Sequence, residues 1–228
     1  MCLFLLAFIF FILQFYTLIP LILLFLPYRE MNNSPKSHLL HKYDTCRTAF
    51  LCCDIQERLR LHIANYTDAV QVSNHMAKLR ELLGRDCTVF LATEHYPEKL
   101  GHTAGDIQLP DDVVVSAKYY PTMLTADILP YIVGDRDRGI EPVQQVVLWG
   151  HETHVCVIHT ADELLQRGIR VAIAVDGCAA QKELDHSTAV LAMSSWDGLL
   201  LSTTGSICMQ LSRGDERIMK SILDILKS

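Results

Sequence analysis

Three chemically able residues each stand just past an apolar run of strand length. Asp54 follows Thr48-Ala-Phe-Leu-Cys-Cys53, Lys118 closes Val113-Val-Val-Ser-Ala, and Cys156 follows Val146-Val-Leu-Trp-Gly150 and the polar elbow His151 to Val155. The cysteine also opens a segment whose apolar residues Val157, Ile158, Ala161, Leu164 and Leu165 recur at helical spacing. A strand, a sharp turn and a helix would place the thiol at a helix amino terminus, where free N–H groups and the positive dipole end favour a thiolate. Each residue also has an ordinary structural use: a buried cysteine that begins a helix, an aspartate that caps a turn, a lysine that snorkels from a strand end. The three gain weight together, because a thiol, a carboxylate and an ammonium at three strand ends share one rim of a sheet.

The elements that must position them follow a regular rhythm. Strands are predicted over 48–53, 87–93, 113–118, 146–150, 169–175 and 199–203, and helices over 68–83, 124–133, 157–167, 184–196 and 215–226. The run Gly134 to Glu141 reads as a loop, and Cys87 and Cys208 read as members of buried strands. Strands alternating with helices define an α/β class, a three-layer α/β/α, Rossmann-like architecture around a six-stranded mostly parallel sheet. Such sheets hold their ligands beyond the strand carboxyl ends.

The pieces Phe50-Leu-Cys-Cys-Asp54-Ile-Gln56, Lys118, Gly150-His-Glu-Thr-His-Val-Cys156 and Val175-Asp-Gly-Cys178 resemble the isochorismatase-like, or cysteine hydrolase, family from Thr48 to the carboxyl terminus. The resemblance implies Asp54 as general base, Lys118 as its positioning and charge-stabilising partner, and Cys156 as nucleophile. It also implies a non-proline cis peptide at His151-Glu152, with an oxyanion hole formed by backbone N–H groups from His151 and Glu152 to Cys156. Nicotinamidases of this family carry an Asp-x-His pair before a proline that binds a divalent metal, whereas this chain has Glu94-His95-Tyr96-Pro97. No metal and no cofactor are therefore expected. Vinyl-ether-cleaving isochorismatases generally lack the cysteine, so Cys156 implies C–N bond cleavage in a small amide or ureide, with vinyl-ether hydrolysis or a non-catalytic binding role on the same fold as alternatives. The stretch Thr93 to Gly101 looks most like the eukaryotic isochorismatase-domain proteins. Gln56, Tyr96, Tyr119, Tyr120 and His154 are the candidates to line the substrate pocket.

Composition narrows the partners. The chain has 228 residues, a formal charge of −6 and no dense Lys/Arg run, which argues against a nucleic-acid footprint. Its eight cysteines include no Cys-x-x-Cys pair and read as reduced thiols of an intracellular, cytoplasmic or mitochondrial protein. Residues 1–30 form an apolar extension whose segment 3–26 carries no charge and is long enough to span a membrane, with the basic residues Arg29, Lys36, Lys42 and Arg47 after it. That extension reads either as an anchor leaving the domain in the cytosol or as a mis-assigned start before Met31. Residues 31–46 read as a linker and 47–228 as the hydrolase domain. The expected partners are a small-molecule substrate and, by the family resemblance, further copies of the chain.

Overall fold

Six runs rich in β-branched and large apolar residues supply the strands of the computed structural model, which describes residues 37–228. The strands are β1 (Thr48–Cys53), β2 (Thr88–His95), β3 (Val114–Lys118), β4 (Gln145–His151), β5 (Arg170–Ala179) and β6 (Leu199–Ser202). They form one sheet in the order β3-β2-β1-β4-β5-β6, and every pairing is parallel. β1 and β4 are buried along their whole length, as expected of strands covered on both faces. The covering helices are α1 (Tyr66–Leu83), α2 (Pro97–Leu100), α3 (Leu129–Val133), α4 (Ile158–Gln166), α5 (Glu183–Met193), α6 (Thr204–Ser212) and α7 (Glu216–Lys227).

The core is organised by Trp149. Its side chain is fully buried, its ring meets Phe90 edge-on at 5.6 Å, and its indole N–H donates to Ser73 Oγ on α1 at 2.8 Å. That bond satisfies a polar atom whose burial would otherwise be costly. At the opposite end of the sheet from the site, buried Gln145 donates to Thr48 Oγ1 and to the His41 carbonyl, and accepts from the His41 N–H. Leu40 is fully buried, and its N–H donates to Gln210 Oε1. The later part of the expected linker 31–46 is therefore bound against the sheet from about Ser37 onward.

Several boundaries differ from those the pattern predicts. β5 runs on to Ala179 because β4 keeps pairing after an irregularity, with Gly150 opposite Cys178 and His151 opposite Ala179. Residues 124–128 form a turn rather than helix, the Thr125 hydroxyl accepting the Ile128 N–H, so that α3 begins only at Leu129. α6 has no counterpart among the predicted helices. Its first N–H group is capped from outside the segment by Asp176, whose two carboxylate oxygens both accept from Thr204 N at 3.0 Å. Cys208 lies buried in this helix and not in a strand, and Cys87 precedes β2 and is only partly buried. Among the described residues no helix is long and apolar enough to cross a membrane, and the apolar stretch 3–26 lies outside them.

Candidate active site

Asp54, Lys118 and Cys156 meet at the carboxyl edge of the sheet. β1 ends at Cys53 and the next residue, Asp54, takes a left-handed backbone with φ of 48°, a conformation that Asp tolerates better than most side chains. Its N–H remains tied to the Thr93 carbonyl at 3.2 Å. The carboxylate is fixed at both oxygens: Oδ1 accepts from Thr93 Oγ1 at 2.7 Å and Oδ2 from Lys118 Nζ at 2.7 Å. Lys118 also donates to Cys156 Sγ at 3.1 Å and to the Pro121 and Tyr120 carbonyls at 3.1 and 3.3 Å. The lysine is thus a bridge between carboxylate and thiol.

All three side chains are nearly sealed from solvent: Lys118 is 0%, Asp54 2% and Cys156 4% exposed. Burial disfavours the ammonium, yet Cys53, Asp54 and Cys156 around it more than offset this and hold Lys118 above the usual lysine value. Its other neighbour is His95 Nδ1 at 3.3 Å, and burial together with the Lys118 charge holds that imidazole below the ordinary histidine value. Neutral His95 is accordingly an acceptor for the lysine. In a water-poor site a charge-assisted pair of this kind is worth far more than at the surface, and losing one member leaves the other charge stranded.

The turn that carries Cys156 depends on glycine. Gly150 has φ of +126°, and a Cβ there would fall 2.0 Å from the Cys53 carbonyl oxygen. Only the absence of a side chain lets β1 and β4 approach closely enough to bring Asp54 beside the turn that follows. The His151-Glu152 peptide is cis, and the residues Thr153–Val157 form one wide π-type turn before α4. Glu152 holds this turn twice over: its carbonyl accepts the Val155 and Val157 N–H groups, and its carboxylate accepts from Gln181 N at 2.8 Å and Gln181 Nε2 at 3.1 Å. Thr160 adds a further clasp, its hydroxyl donating to the Cys156 carbonyl at 2.6 Å and accepting from Met123 N at 3.0 Å.

The other expected residues divide. Gln56 does not line a pocket. It is fully buried and braces two loops, donating to the His95 and Gly101 carbonyls and accepting the His95 N–H, because a side chain with both donor and acceptor ends suits two backbone partners. His154 has its Nε2 4.0 Å from Asp185 on α5. Tyr119 and Tyr120 are exposed at the rim, and Tyr96 stands against both His95 and Tyr119, edge-on at 4.7 and 5.0 Å, with its hydroxyl donating to the Tyr119 carbonyl. His151 contributes only backbone, since its ring is fully buried against Tyr66 at 5.4 Å. Glu94 is spent on the loop it precedes, bonding His102 Nδ1, Thr103 N and Thr103 Oγ1 at 2.8 to 2.9 Å. The pattern of strand ends did not single out Thr93, Cys53 or the lysine contact of His95. The available signal was register: Thr93 and His95 are alternate residues of β2, Thr93 pairs with Cys53, and His95 pairs with Lys118.

A buried thiol, ammonium and carboxylate thus lie together at the ligand edge of an all-parallel sheet in an α/β protein. Residues 48–204 match the isochorismatase domain, and the chain belongs to that family. It is 33% identical over 159 residues to isochorismatase domain-containing protein 2 of Rattus norvegicus, a span covering 70% of each chain. Among solved structures, a Trypanosoma cruzi protein superposes with a TM-score of 0.78 at 44% identity, covering 84% of this chain and 97% of its own. A Caenorhabditis elegans protein described as a MAR1 ribonuclease superposes with a TM-score of 0.70 at 25% identity, covering 80% and 91%.

Proposed function

We propose that this protein is a metal-independent cysteine hydrolase that cleaves the C–N bond of a small amide or ureide through a thioester. The observation that carries the reading is the single ammonium of Lys118 reaching both Asp54 Oδ2 at 2.7 Å and Cys156 Sγ at 3.1 Å. Asp54 takes the thiol proton and the sulfur attacks the carbonyl carbon. The oxyanion is received by backbone N–H groups of the Glu152 to Cys156 turn other than that of Val155, which is spent on the Glu152 carbonyl. Asp54 then gives the proton to the departing nitrogen, and a water activated by the same carboxylate releases the acid. Lys118 keeps its proton throughout and steadies the negative charge as it moves between carboxylate, sulfur and oxyanion. Ribonuclease chemistry has less support, because the one cation at the centre of this site is fully buried and already shared between Asp54 and Cys156, in a chain of formal charge −6.

The test is a panel of small amides and ureides, with mass spectrometry for an acyl group on Cys156. Cys156→Ala should abolish turnover while retaining substrate binding, and Asp54→Asn should slow turnover on the order of a hundredfold or more. Full activity in Cys156→Ala would exclude thiol chemistry and leave a hydrolysis run by Asp54 and Lys118 alone.

A further inference from the structure

One thiol in this site has no part in the hydrolysis. Cys53, fully buried at the end of β1, lies so close that its sulfur, the Cys156 sulfur and an Asp54 oxygen are all within 4.8 Å of one another. Its Sγ points at the His151 carbonyl at 3.5 Å and at Asp54 Oδ2 at 3.6 Å. The cluster has the donors of a soft-metal site, but the Lys118 ammonium already occupies the space between Asp54 and Cys156, and a cation would have to displace it. The geometry points the other way, toward an oxidisable sulfur: the Lys118 ammonium donates to Cys156 Sγ at 3.1 Å and faces the charge that the sulfur carries as it attacks a peroxide.

We propose that Cys53 and Cys156 form a dithiol that hydrogen peroxide converts into an intramolecular disulfide. The Cys156 thiolate attacks one peroxide oxygen, the O–O bond breaks, and hydroxide leaves and is protonated to water, so that Cys156 becomes a sulfenic acid. Cys53 then passes its proton to Asp54, which its sulfur already faces, and attacks the Cys156 sulfur. The S–S bond forms as the S–O bond breaks, and a second water departs with that proton. Two thiols lose two electrons and two protons, and one peroxide becomes two waters. Closing a gap of less than 4.8 Å to a bond of ~2 Å requires side-chain rotation and a small shift of the wide turn that carries Cys156. Burial, with Cys156 and Asp54 beside it, pushes the Cys53 thiol well up, which keeps it protonated and inert until the sulfenic acid forms next to it. Cys52, its sequence neighbour, faces the other side of the sheet and meets Ser73 on α1 at 3.7 Å. The cross-link forms whether or not Cys156 attacks a carbonyl, and only the accompanying loss of hydrolysis rests on the proposed function.

The test treats the full-length protein with a small molar excess of hydrogen peroxide, followed by peptide mapping without reductant. The expected result is a protein lighter by two hydrogen atoms, a Cys53–Cys156 cross-link located by fragmentation, and full return to the starting mass with dithiothreitol. Cys52→Ser should retain the link. Cys53→Ser should lose it and carry Cys156 irreversibly to the sulfinic acid at the same peroxide dose. Oxidation of wild-type Cys156 directly to sulfinic acid, or a link to Cys52 or Cys178 in place of Cys53, would overturn the proposal. Because the link is located in the wild-type protein, a failure of either variant to fold leaves the test intact. Hydrolysis unaffected by Cys156→Ala would count against the proposed function alone and would leave the cross-link, located in the wild-type protein, standing.

Discussion

Replacing His151 by leucine should remove an identifiable part of this protein's sensitivity to acid. The His151 ring is fully buried, packs at a tilt against Tyr66, and has no hydrogen-bond partner for either nitrogen among the described residues. Burial alone drives its pKa from 6.5 down to about 4. In the folded protein the imidazole therefore stays neutral at pH values where the unfolded chain has already taken up a proton. The sign follows: the unfolded state binds more protons between pH 6.5 and about 4, so stability is fully present above that window and falls as pH falls through it. At ~1.4 kcal/mol per pKa unit the whole window costs roughly 3 kcal/mol, and about 2 kcal/mol of this is already lost at pH 5. Leucine has a similar volume and no nitrogens to leave unpaired, so at pH 7.5 His151→Leu should be at least as stable as wild type. Urea unfolding at pH 7.5, 6 and 5 on both proteins measures the difference, since carboxylates that titrate over this range contribute equally to each. If the gap between variant and wild type does not widen in favour of the variant by at least 1 kcal/mol between pH 7.5 and 5, on the scale of the linkage estimate, the buried-neutral account of His151 is wrong.

Other outcomes follow from the same geometry. Brief iodoacetamide treatment at neutral pH should label Cys156 ahead of Cys52, Cys178 and Cys208, which burial pushes up to about 12; alkylation of any of these three first, located by peptide mapping, would contradict the lysine-activated thiol. Gly150→Ala should cost on the order of 3 kcal/mol or more, because its Cβ would meet the Cys53 carbonyl at 2.0 Å and its φ is +126°, and a thermal midpoint equal to wild type would refute that contact. Dialysis against a chelator should leave turnover on the identified substrate unchanged, since Glu94 is already bound to His102 and Thr103, and recovery of a lost activity by zinc would bring the metal back into consideration.

The candidate chemistry could be read from the amino-acid sequence because it depends on strand ends. Asp54, Lys118 and Cys156 each follow a run whose length and apolar content mark a buried parallel strand, and such strands present their carboxyl ends to a common rim. The same local signals located all six strands, and β1 with the bounds expected. Local signals failed where a distant partner supplied the stabilisation. α6 lacks charge and carries a glycine in its first turn, so nothing in Thr204 to Ser212 announces a helix, and the cap comes from Asp176 across the sheet edge. Gln56 stands two residues from Asp54 in sequence, yet its amide is consumed by backbone at His95 and Gly101. The bridging of Asp54 and Cys156 by one ammonium, the Thr93 and His95 contacts and the approach of Cys53 to Cys156 were settled only by tertiary structure. Periodicity along one strand specifies which face a side chain takes, whereas the distance between side chains on neighbouring strands is set by register and by the missing Cβ of Gly150.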